Sequence, residues 1–497
     1  MMVVFSPPRT IFLMQLTEPE VRAAIGGAMT MMFLAALETT IVSTALPSIA
    51  ADLGDVHMLS WVITAYLLTS TCITPIAGKL GDLYGRRRLL HAALAVFLVA
   101  SVLCALATSM LELTLARALQ GIGGGALITS AQAAVADVVA PRERGRYSAY
   151  FSMVWGSSSL LGPSVGGIMA QHLGWPSIFW LNLPIGIAAL LFSDSALKRV
   201  PIHGRKAPFD WLSIVLLALG SVGLLLALSL GGTRFAWNSP ELLAGLGLGI
   251  VVLAVFALRQ ARIPDPILLP RFFTDRVVGP TLTAIFLSFG AYMVVAVLAP
   301  TFYQVGLQIP AATVGFLMMP MMISSTFTAW LAGRYTKTHG KYRMPPFVGL
   351  PVSIGSLAAL AYFAGRISAL ETTVLLTIFG FGIGVIFPVT MVAAQNAVER
   401  RDIGAVTGAI SFSRALGAAI LIAAASALVL GLIVAWVPDM AGLGSLDELV
   451  RQPLAPAARI EVAEAFGVMF ATVVAALLLA LVVFMTVEHR PLRSTMD

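Results

Sequence analysis

Charged residues are scarce in this chain: aspartate, glutamate, lysine and arginine together make up 11% of its 497 residues. A typical soluble domain carries about 25%, so this sequence cannot supply a surface that water would solvate. Cysteine is scarcer still, and the two cysteines, Cys72 and Cys104, both fall inside apolar stretches. We therefore interpret them as packing residues and expect no disulfide framework and no metal site.

The sequence also lacks the motifs of common hydrolases, metalloenzymes and nucleotide-driven pumps. It contains no H-E-x-x-H, no G-x-S-x-G, no cysteine–histidine pair at ligand spacing and no Walker A sequence, and its six histidines are scattered. We therefore expect no catalytic residues, no enzyme activity, no cofactor and no direct use of ATP.

What the chain has instead is long apolar runs, because 58% of its residues are hydrophobic. About 20 apolar residues cross a bilayer, and a crossing segment must satisfy its own backbone groups, which favours helices. The sequence therefore predicts an all-α polytopic membrane protein with fourteen transmembrane helices. The predicted spans lie near 23–46, 58–77, 89–109, 112–138, 147–171, 176–196, 211–231, 241–260, 277–303, 311–332, 346–365, 370–394, 405–436 and 465–487.

Basic residues are distributed unevenly between the predicted loops. Of the 31 lysines and arginines, 25 fall on one side of the membrane and 4 on the other, while Arg117 and Arg414 lie within spans. The positive-inside rule then places both termini in the cytoplasm, and we expect the chain in the bacterial inner (cytoplasmic) membrane. The net charge of +7 follows this topology, so we expect no nucleic-acid partner. We also expect no cleaved signal peptide in the first 22 residues.

An internal repeat divides the chain. Segment 77–79 (AGK) is echoed by 332–334 (AGR), and 85–88 (GRRR) by 340–343 (GKYR), each at an offset of 255 residues. This predicts a transporter of two six-helix halves with an inserted hairpin of two helices. The expected parts are a cytoplasmic N-terminal segment (1–22), an N-terminal bundle (23–200), the inserted helix pair 7–8 (201–262), a C-terminal bundle (263–487) with an outer loop (437–464), and a cytoplasmic tail (488–497).

The turn between the second and third predicted helices is the most informative segment. Residues 78–88 read GKLGDLYGRRR, and the glycines allow two helix ends to approach closely. The segment resembles the signature loop of the major facilitator superfamily, which in that family holds the two halves together in the outward-facing state. The resemblance implies that Asp82 caps the thirteenth predicted helix near Gly404 and Ala405. Alternatively, the arginines serve only topology. The residues assigned to this latch are Gly78, Asp82, Gly85 and Arg86.

The first predicted helix carries an acid at membrane depth. Residues 37–47 read LETTIVSTALP, and Glu38 lies about 15 residues, or roughly 22 Å, beyond the predicted helix start. A carboxyl group is energetically costly at this depth, so its presence indicates a function, and burial favours its protonated form. The segment resembles a motif of fourteen-helix drug:proton antiporters (the EmrB/QacA type), in which Asp stands where this chain has Glu. The alternative is a protonated structural glutamic acid bonded to a neighbouring helix.

The fourth predicted helix carries a buried arginine. Residues 113–125 read LTLARALQGIGGG and resemble the R-x-x-Q-G-x-G motif of the same family. Arg117 stays charged and needs an acceptor within the membrane, and Gln120 lies one helical turn further on the same face. We predict that Glu38, Arg117 and Gln120 form the proton-coupling cluster. The alternative is an arginine bonded only to backbone carbonyls.

The fifth predicted helix is rich in glycine. Residues 156–167 (GSSSLLGPSVGG) match every fixed position of G-x-x-x-x-x-G-P-x-x-G-G, a pattern that resembles the antiporter motif of exporters in this family. Glycine permits close helix approach and proline removes a backbone hydrogen bond. Close packing without any bearing on transport direction is the alternative. The motif residues are Gly156, Gly162, Pro163, Gly166 and Gly167.

Together the resemblances imply a proton-coupled efflux transporter that exports amphipathic drugs or other small hydrophobic compounds across the cytoplasmic membrane. Its partners are then the amphipathic substrate, protons and membrane lipid, with a periplasmic adaptor and an outer-membrane channel if the cell is Gram-negative; we expect a monomer. A dedicated exporter of a metabolite, siderophore or lipid and a proton-coupled importer stay open as alternatives. Because Glu38 is the one carboxylate clearly at midmembrane depth, we expect neutral, monocationic or weakly acidic substrates in preference to divalent cations.

Overall fold

The computed structural model describes residues 18–55, 58–139, 141–197, 210–232, 235–437 and 455–492, with the single positions 440, 446 and 449. Helices joined by short turns account for almost all of these residues, and no β-strand occurs within the described ranges. The predicted terminal segments 1–22 and 488–497 and the predicted outer loop 437–464 lie partly outside them.

The first part of the chain forms helices α1 to α9. They are α1 (Glu18–Leu53), α2 (Leu59–Tyr84), α3 (Arg86–Ala105), α4 (Met110–Val138), α5 (Pro141–His172), the short α6 (Pro176–Trp180), α7 (Asn182–Leu197), α8 (Trp211–Leu230) and α9 (Pro240–Gln260).

The second part continues with α10 to α17. They are the short α10 (Arg271–Thr274), α11 (Val278–Thr301), α12 (Ala311–His339), α13 (Met344–Phe363), α14 (Ala369–Ile383), α15 (Ile386–Ala397), α16 (Ile403–Trp436) and α17 (Pro456–Met485). A π-helical turn (Phe302–Gly306) follows α11, and a 3-10 turn (Arg400–Asp402) precedes α16.

Local chemistry sets several of these helix ends. Ser109 starts α4 by accepting a hydrogen bond at its Oγ from the Glu112 N–H at 3.2 Å. Ser368 and Glu371 form a capping box at the start of α14, in which each side chain accepts from the other residue's backbone. Gly340 ends α12 with a φ of 69°, a left-handed conformation that glycine adopts without strain.

The apolar helices are long enough for a membrane protein. In the described part of the chain, eleven helical segments are both long and apolar enough to cross a bilayer. The helices α4, α5 and α7 are not among those eleven; α4 and α5 have 29 and 32 residues, and α7 has 16. The prediction of an all-helical membrane fold is therefore confirmed, whereas the count of fourteen transmembrane helices stays a prediction.

Several predicted spans differ from the helices that form. The first helix begins five residues earlier than position 23 and continues to Leu53. The predicted spans 176–196 and 370–394 are each interrupted, at Leu181 and at Gly384 respectively. Pro184 and Pro388 follow these breaks, and a proline provides no N–H for the carbonyl four residues earlier. The helix α17 begins inside the predicted outer loop.

The helices pack as two sets that meet along several shared faces. In the first set α4 packs against α2 and α3, and α1 packs against α5 and α7; in the second, α11 packs against α16 and α17, and α14 against α12 and α13. The two sets meet where α2 packs against α16 and α5 against α12. The pair α8–α9 packs together and reaches the rest through contacts of α8 with α2 and α16.

Candidate functional site

A buried ion pair lies within the first set of helices. Arg117 on α4 donates from Nη1 to Oε1 of Glu38 on α1 at 2.7 Å. The two side chains are 1% and 0% exposed, respectively. A charge in such surroundings must be paired and hydrogen-bonded, because removing either partner leaves the other unsolvated. The stability of each charge in this buried site therefore depends on the presence of the other.

Neighbouring polar groups complete the hydrogen bonding of this pair. The second oxygen of Glu38 accepts from Asn182 Nδ2 on α7 at 2.7 Å. Arg117 also donates to Gln120 Oε1 at 2.6 Å and, through Nε, to the Val62 carbonyl at 3.1 Å. Gln120 Nε2 and Asn182 Nδ2 both donate to Oγ of Ser101 on α3, at 2.8 and 3.1 Å. With the Val62 carbonyl on α2, one network joins five helices. We call its side chains (Glu38, Ser101, Arg117, Gln120, Asn182) the polar cluster.

An aromatic ring covers the guanidinium of the polar cluster. The Cζ atom of Arg117 lies 4.3 Å from the ring centroid of Tyr66 on α2, a cation–π contact. The Tyr66 hydroxyl donates to the Ala35 carbonyl at 3.0 Å, which holds the ring against α1. The arrangement provides one carboxyl group able to take up a proton beside a cation that stays charged.

The structure brings together the three residues predicted for this cluster, and it adds three that the motifs did not indicate: Tyr66, Ser101 and Asn182. Small polar residues inside apolar helices carry little signal on their own. The only sequence hint of Asn182 is its position two residues before Pro184, in the segment 181–184 (LNLP).

At the other end of α2, an acid meets the start of α16. Asp82 accepts backbone hydrogen bonds from Gly404 at 3.0 Å and from Ala405 at 2.7 Å. Arg86 binds the same carboxylate and also donates from Nε to Asp137 Oδ2 on α4 at 2.8 Å. A carboxylate at a helix N-terminus satisfies free N–H groups and complements the helix dipole. We call this contact between α2 and α16 the latch.

Two glycines allow the latch to close. A Cβ atom on Gly78 would collide with the Gly404 carbonyl group, and one on Gly404 would lie 2.7 Å from Asp82 Oδ1. Gly85 has a φ of 93° between α2 and α3, a conformation that residues with a Cβ rarely adopt. The four residues predicted for the latch thus lie together, against the two α16 residues that the sequence indicated.

Further contacts cross between the two sets at this end of the molecule. Arg144 on α5 donates to the Gln395 carbonyl at 3.4 Å as well as to the Ala136 carbonyl at 2.6 Å. Arg400 donates to the Asp137 carbonyl at 2.9 Å. In the sequence these arginines are indistinguishable from the other basic residues of the loops, so their bridging contacts were not predicted.

The glycine motif of α5 faces two different helices. A Cβ atom on Gly162 would lie 2.9 Å from Thr40 Cβ, and one on Gly166 would lie 2.5 Å from the Ile41 carbonyl oxygen, both on α1. Gly156 faces α12 instead, since its Cβ would lie 2.9 Å from Thr326 Oγ1. The helix continues through Pro163. The remaining motif residue differs, because a Cβ on Gly167 would meet no atom within 4 Å.

A separate ion pair joins the ends of α8 and α9. Asp210 caps α8, and Arg259 on α9 donates to its two oxygens from Nη2 at 2.9 Å and from Nε at 3.2 Å. These hydrogen bonds lower the pKa of Asp210 to about 2. Asp210 is therefore ionised at neutral pH.

Comparison with known proteins assigns the chain to a family. The sequence model described as Major Facilitator Superfamily matches residues 28–422. The chain is 36% identical over 394 residues to the Multidrug transporter protein MdtP of Bacillus subtilis (strain 168), which covers 79% of this chain and 72% of that protein. It is 33% identical over 391 residues to Multidrug resistance protein 3 of the same strain, with 79% and 76% covered.

A solved structure agrees with this assignment. The crystal structure of the human organic anion transporter MFSD10 (TETRAN) matches with a TM-score of 0.65 over 94% of this chain and 100% of that chain. Its sequence identity is 16%, so this likeness shows the fold alone. On the sequence model, the two bacterial relatives and the eleven apolar helices, this chain is a multi-pass integral membrane protein that belongs to the Major Facilitator Superfamily.

Proposed function

We propose that this protein is a proton-coupled antiporter that exports small amphipathic compounds across the cytoplasmic membrane. In this proposal it is a monomer with fourteen transmembrane helices, α8 and α9 are an inserted pair, and both termini are cytoplasmic. The names of the two Bacillus subtilis relatives, a multidrug transporter and a multidrug resistance protein, support drug export. The observation that carries the coupling is the buried pair of Glu38 and Arg117.

Glu38 is the proposed proton carrier. It is the acid of the polar cluster, and its two oxygens accept from Arg117 and Asn182 in the absence of solvent contact. Protonation removes the charge on Glu38 while Arg117 keeps its own, so it weakens the attraction within the pair. We propose that the hydration of this pair differs between the two facing states, so that a proton on Glu38 changes their relative free energy. Such a change is the requirement for coupling proton entry to substrate exit.

The latch supplies the second half of the mechanism. Its hydrogen bonds run between α2 and α16, which belong to different sets of helices. They must break when the two halves separate at that end, which we propose is the cytoplasmic end. The closed latch therefore stabilises the outward-facing state, and its opening admits substrate from the cytoplasm or inner leaflet.

Export is the proposed direction of transport. The glycines Gly162 and Gly166 seat α5 against α1 within about two turns of Glu38. The segment that contains them resembles the antiporter motif of exporters, and the names of the two Bacillus subtilis relatives agree with export. Both support outward transport of the substrate.

Proton flux in everted membrane vesicles tests the proposal. Vesicles from an efflux-deficient bacterial host are energised, and a pH-sensitive dye reports the proton gradient after addition of ethidium, chloramphenicol or decanoate. We expect at least one of these compounds to collapse part of the gradient with the wild-type protein. Glu38→Gln should abolish this response, because the amide cannot carry the proton.

Two control variants make the result interpretable. Glu38→Asp keeps the acid and should retain a response, whereas Glu241→Gln changes an exposed acid at the start of α9 and should behave like the wild type. Membrane abundance and thermal stability are measured for all variants. A gradient response that persists undiminished in Glu38→Gln would exclude Glu38 as the proton carrier, and no response to any compound would contradict drug export.

A further inference from the structure

A second arginine lies inside the membrane region, in the other set of helices. Arg414 is on α16, about 16 Å along a helix of 34 residues at 1.5 Å per residue. Its Nε atom is buried and has no hydrogen-bond partner, and the guanidinium makes no ion pair with any residue in the described part of the chain. This contrasts with Arg117, whose donors are matched by carboxylate, amide and carbonyl oxygens.

No aspartate or glutamate occurs in α16 between Ile403 and Trp436. The helices α11 and α15, which pack against α16, also contain none. One turn before Arg414, the Ser411 Oγ atom is also buried without a hydrogen-bond partner. Two donors one helical turn apart on α16 thus have no acceptor in the described part of the chain, although buried donors in folded proteins are nearly always satisfied.

Aromatic rings form the wall beside this arginine. The Cζ atom of Arg414 lies 4.4 Å from the ring centroid of Phe289 on α11. Phe289 and Tyr292 each contact Phe387 on α15, with centroid separations of 5.6 Å in both cases. All three rings are half-buried, so they present apolar surface next to the cation.

This combination matches one class of ligand. A cation–π contact offsets part of the desolvation of a guanidinium, but it supplies no oxygen to the N–H donors. A carboxylate would accept from the guanidinium and from Ser411 at once, and an attached alkyl or aryl group would pack on the three rings. We infer that Arg414 is the substrate-binding residue for amphipathic weak acids, which bind as carboxylate anions with their apolar part against Phe289, Tyr292 and Phe387.

This inference rests on the proposed efflux function and narrows its substrate class. The site is separate from the polar cluster, because Arg414 and its three rings lie on α11, α15 and α16, whereas Glu38 and its partners lie on α1 to α4 and α7. A bound anion thus need not compete directly with the proton carrier. Divalent cations, by contrast, would meet an arginine with no carboxylate beside it.

Equilibrium binding to the purified full-length protein tests the inference. Radiolabelled decanoate is titrated into phosphatidylcholine nanodiscs with the protein, and empty nanodiscs give the background. We expect saturable binding that weakens by about tenfold or more in Arg414→Gln, since a charge-assisted interaction is lost. Arg414→Lys should retain part of the affinity. Methyl decanoate and decyltrimethylammonium, which share the chain but lack the anion, should compete weakly.

Two further measurements distinguish a binding residue from a structural one. Arg334→Gln is the matched control, because Arg334 also lies over an aromatic ring (Trp330, 5.6 Å) but is exposed. Its decanoate affinity should be unchanged. Arg414→Gln should unfold at a temperature no lower than the wild type, because removal of the guanidinium leaves no protein acceptor unpaired. A lower unfolding temperature would indicate a structural role for Arg414.

The outcomes separate the failure of this inference from that of the proposed function. Equal decanoate affinity in the wild type and Arg414→Gln overturns the inference, even if the protein still exports ethidium. The inference is also overturned if phosphatidylglycerol displaces radiolabelled decanoate as effectively as unlabelled decanoate does, because the ligand would then be a lipid. Loss of decanoate binding in Arg414→Gln, with ethidium-driven proton flux intact, supports it. Proton flux absent with every compound would instead count against the efflux function.

Discussion

Replacing Asp82 by asparagine should open the latch while leaving the rest of the fold intact. The carboxylate accepts the N–H groups of Gly404 and Ala405 at 3.0 and 2.7 Å, and its side chain is 5% exposed. Asparagine has nearly the same shape but offers one acceptor oxygen instead of two. Its amino group would face an N–H group that it cannot bind. The variant therefore removes an interaction without creating a cavity.

The size of the effect follows from what is removed. A hydrogen bond to a charged group contributes about 1.5–3 kcal/mol, and a charge at a helix N-terminus adds about 0.3–2 kcal/mol. Arg86 keeps its partner Asp137 in the variant, which limits the loss. A change of about 2–4 kcal/mol in the closed state corresponds to a shift of roughly 30- to 1,000-fold in the equilibrium between closed and open latch.

Cysteine accessibility measures this shift. In a chain lacking Cys72 and Cys104, which are both buried, a single cysteine is placed at Val398, which packs against Ile403 at the junction of the two sets. Its labelling by a water-soluble maleimide should accelerate strongly in Asp82→Asn, and transport should fall. A cysteine at Glu241, exposed on α9, should label at the same rate in both proteins.

The control variant is Asp265→Asn. Asp265 pairs with Lys79 on α2, so its loss also removes an acid that pairs with α2, but it leaves the α16 contacts in place. It should not accelerate labelling at Val398. If Asp82→Asn labels at the wild-type rate and transports normally, the loop acts only as a topology signal and the reasoning about the latch is wrong.

Three other expectations follow from the contacts described. Gly162→Val should abolish transport, because its Cβ alone would collide with the Thr40 side chain on α1. Gly167→Ala, with nothing within 4 Å of the added Cβ, should transport normally in the same vesicle assay. Asn182→Ala should lower stability by about 1–3 kcal/mol by leaving one oxygen of the buried Glu38 carboxylate without its donor, as measured by thermal unfolding in detergent. The pKa of Asp210 is about 2 in the folded protein and 3.8 ordinarily, so Asp210 should stabilise the α8–α9 end above pH 4 and lose that effect as the pH falls through 2. Infrared titration of the isotope-labelled carboxyl group should find a midpoint near 2. Arg259→Gln should move this midpoint upward.

The sequence predicted the elements that depend on local pattern. Apolar runs marked the helices because a bilayer demands about 20 apolar residues, and the motifs identified Glu38, Arg117 and Gln120 before their contacts were known. The functional roles of these residues stay predictions. The two charged residues of the polar cluster can nevertheless be recognised in the sequence, because charges inside apolar runs are rare.

The rest depended on tertiary contacts. Ser101 and Asn182 are small polar residues whose importance comes from lying next to Glu38, which no spacing along the chain reveals. The helix breaks before Pro184 and Pro388 were equally hard to foresee, because α5 continues through Pro163 without interruption. Whether a proline ends a helix depends on the neighbours that can satisfy the freed carbonyl group.

The polar cluster and the latch would respond differently to a movement of one half of the protein against the other. Within the described part of the chain, every hydrogen-bond partner of Glu38 and Arg117 lies on α1 to α4 or α7. A rotation of one half as a rigid body would therefore stretch none of these bonds. The bonds of Asp82 to α16 would instead break. We therefore expect the energy of the ion pair to depend on the facing state through hydration. Water that reaches one side raises the local dielectric constant and screens the attraction between the charges. We therefore expect the latch to respond to separation of the two sets of helices, and the proposed proton carrier, Glu38, to respond to hydration.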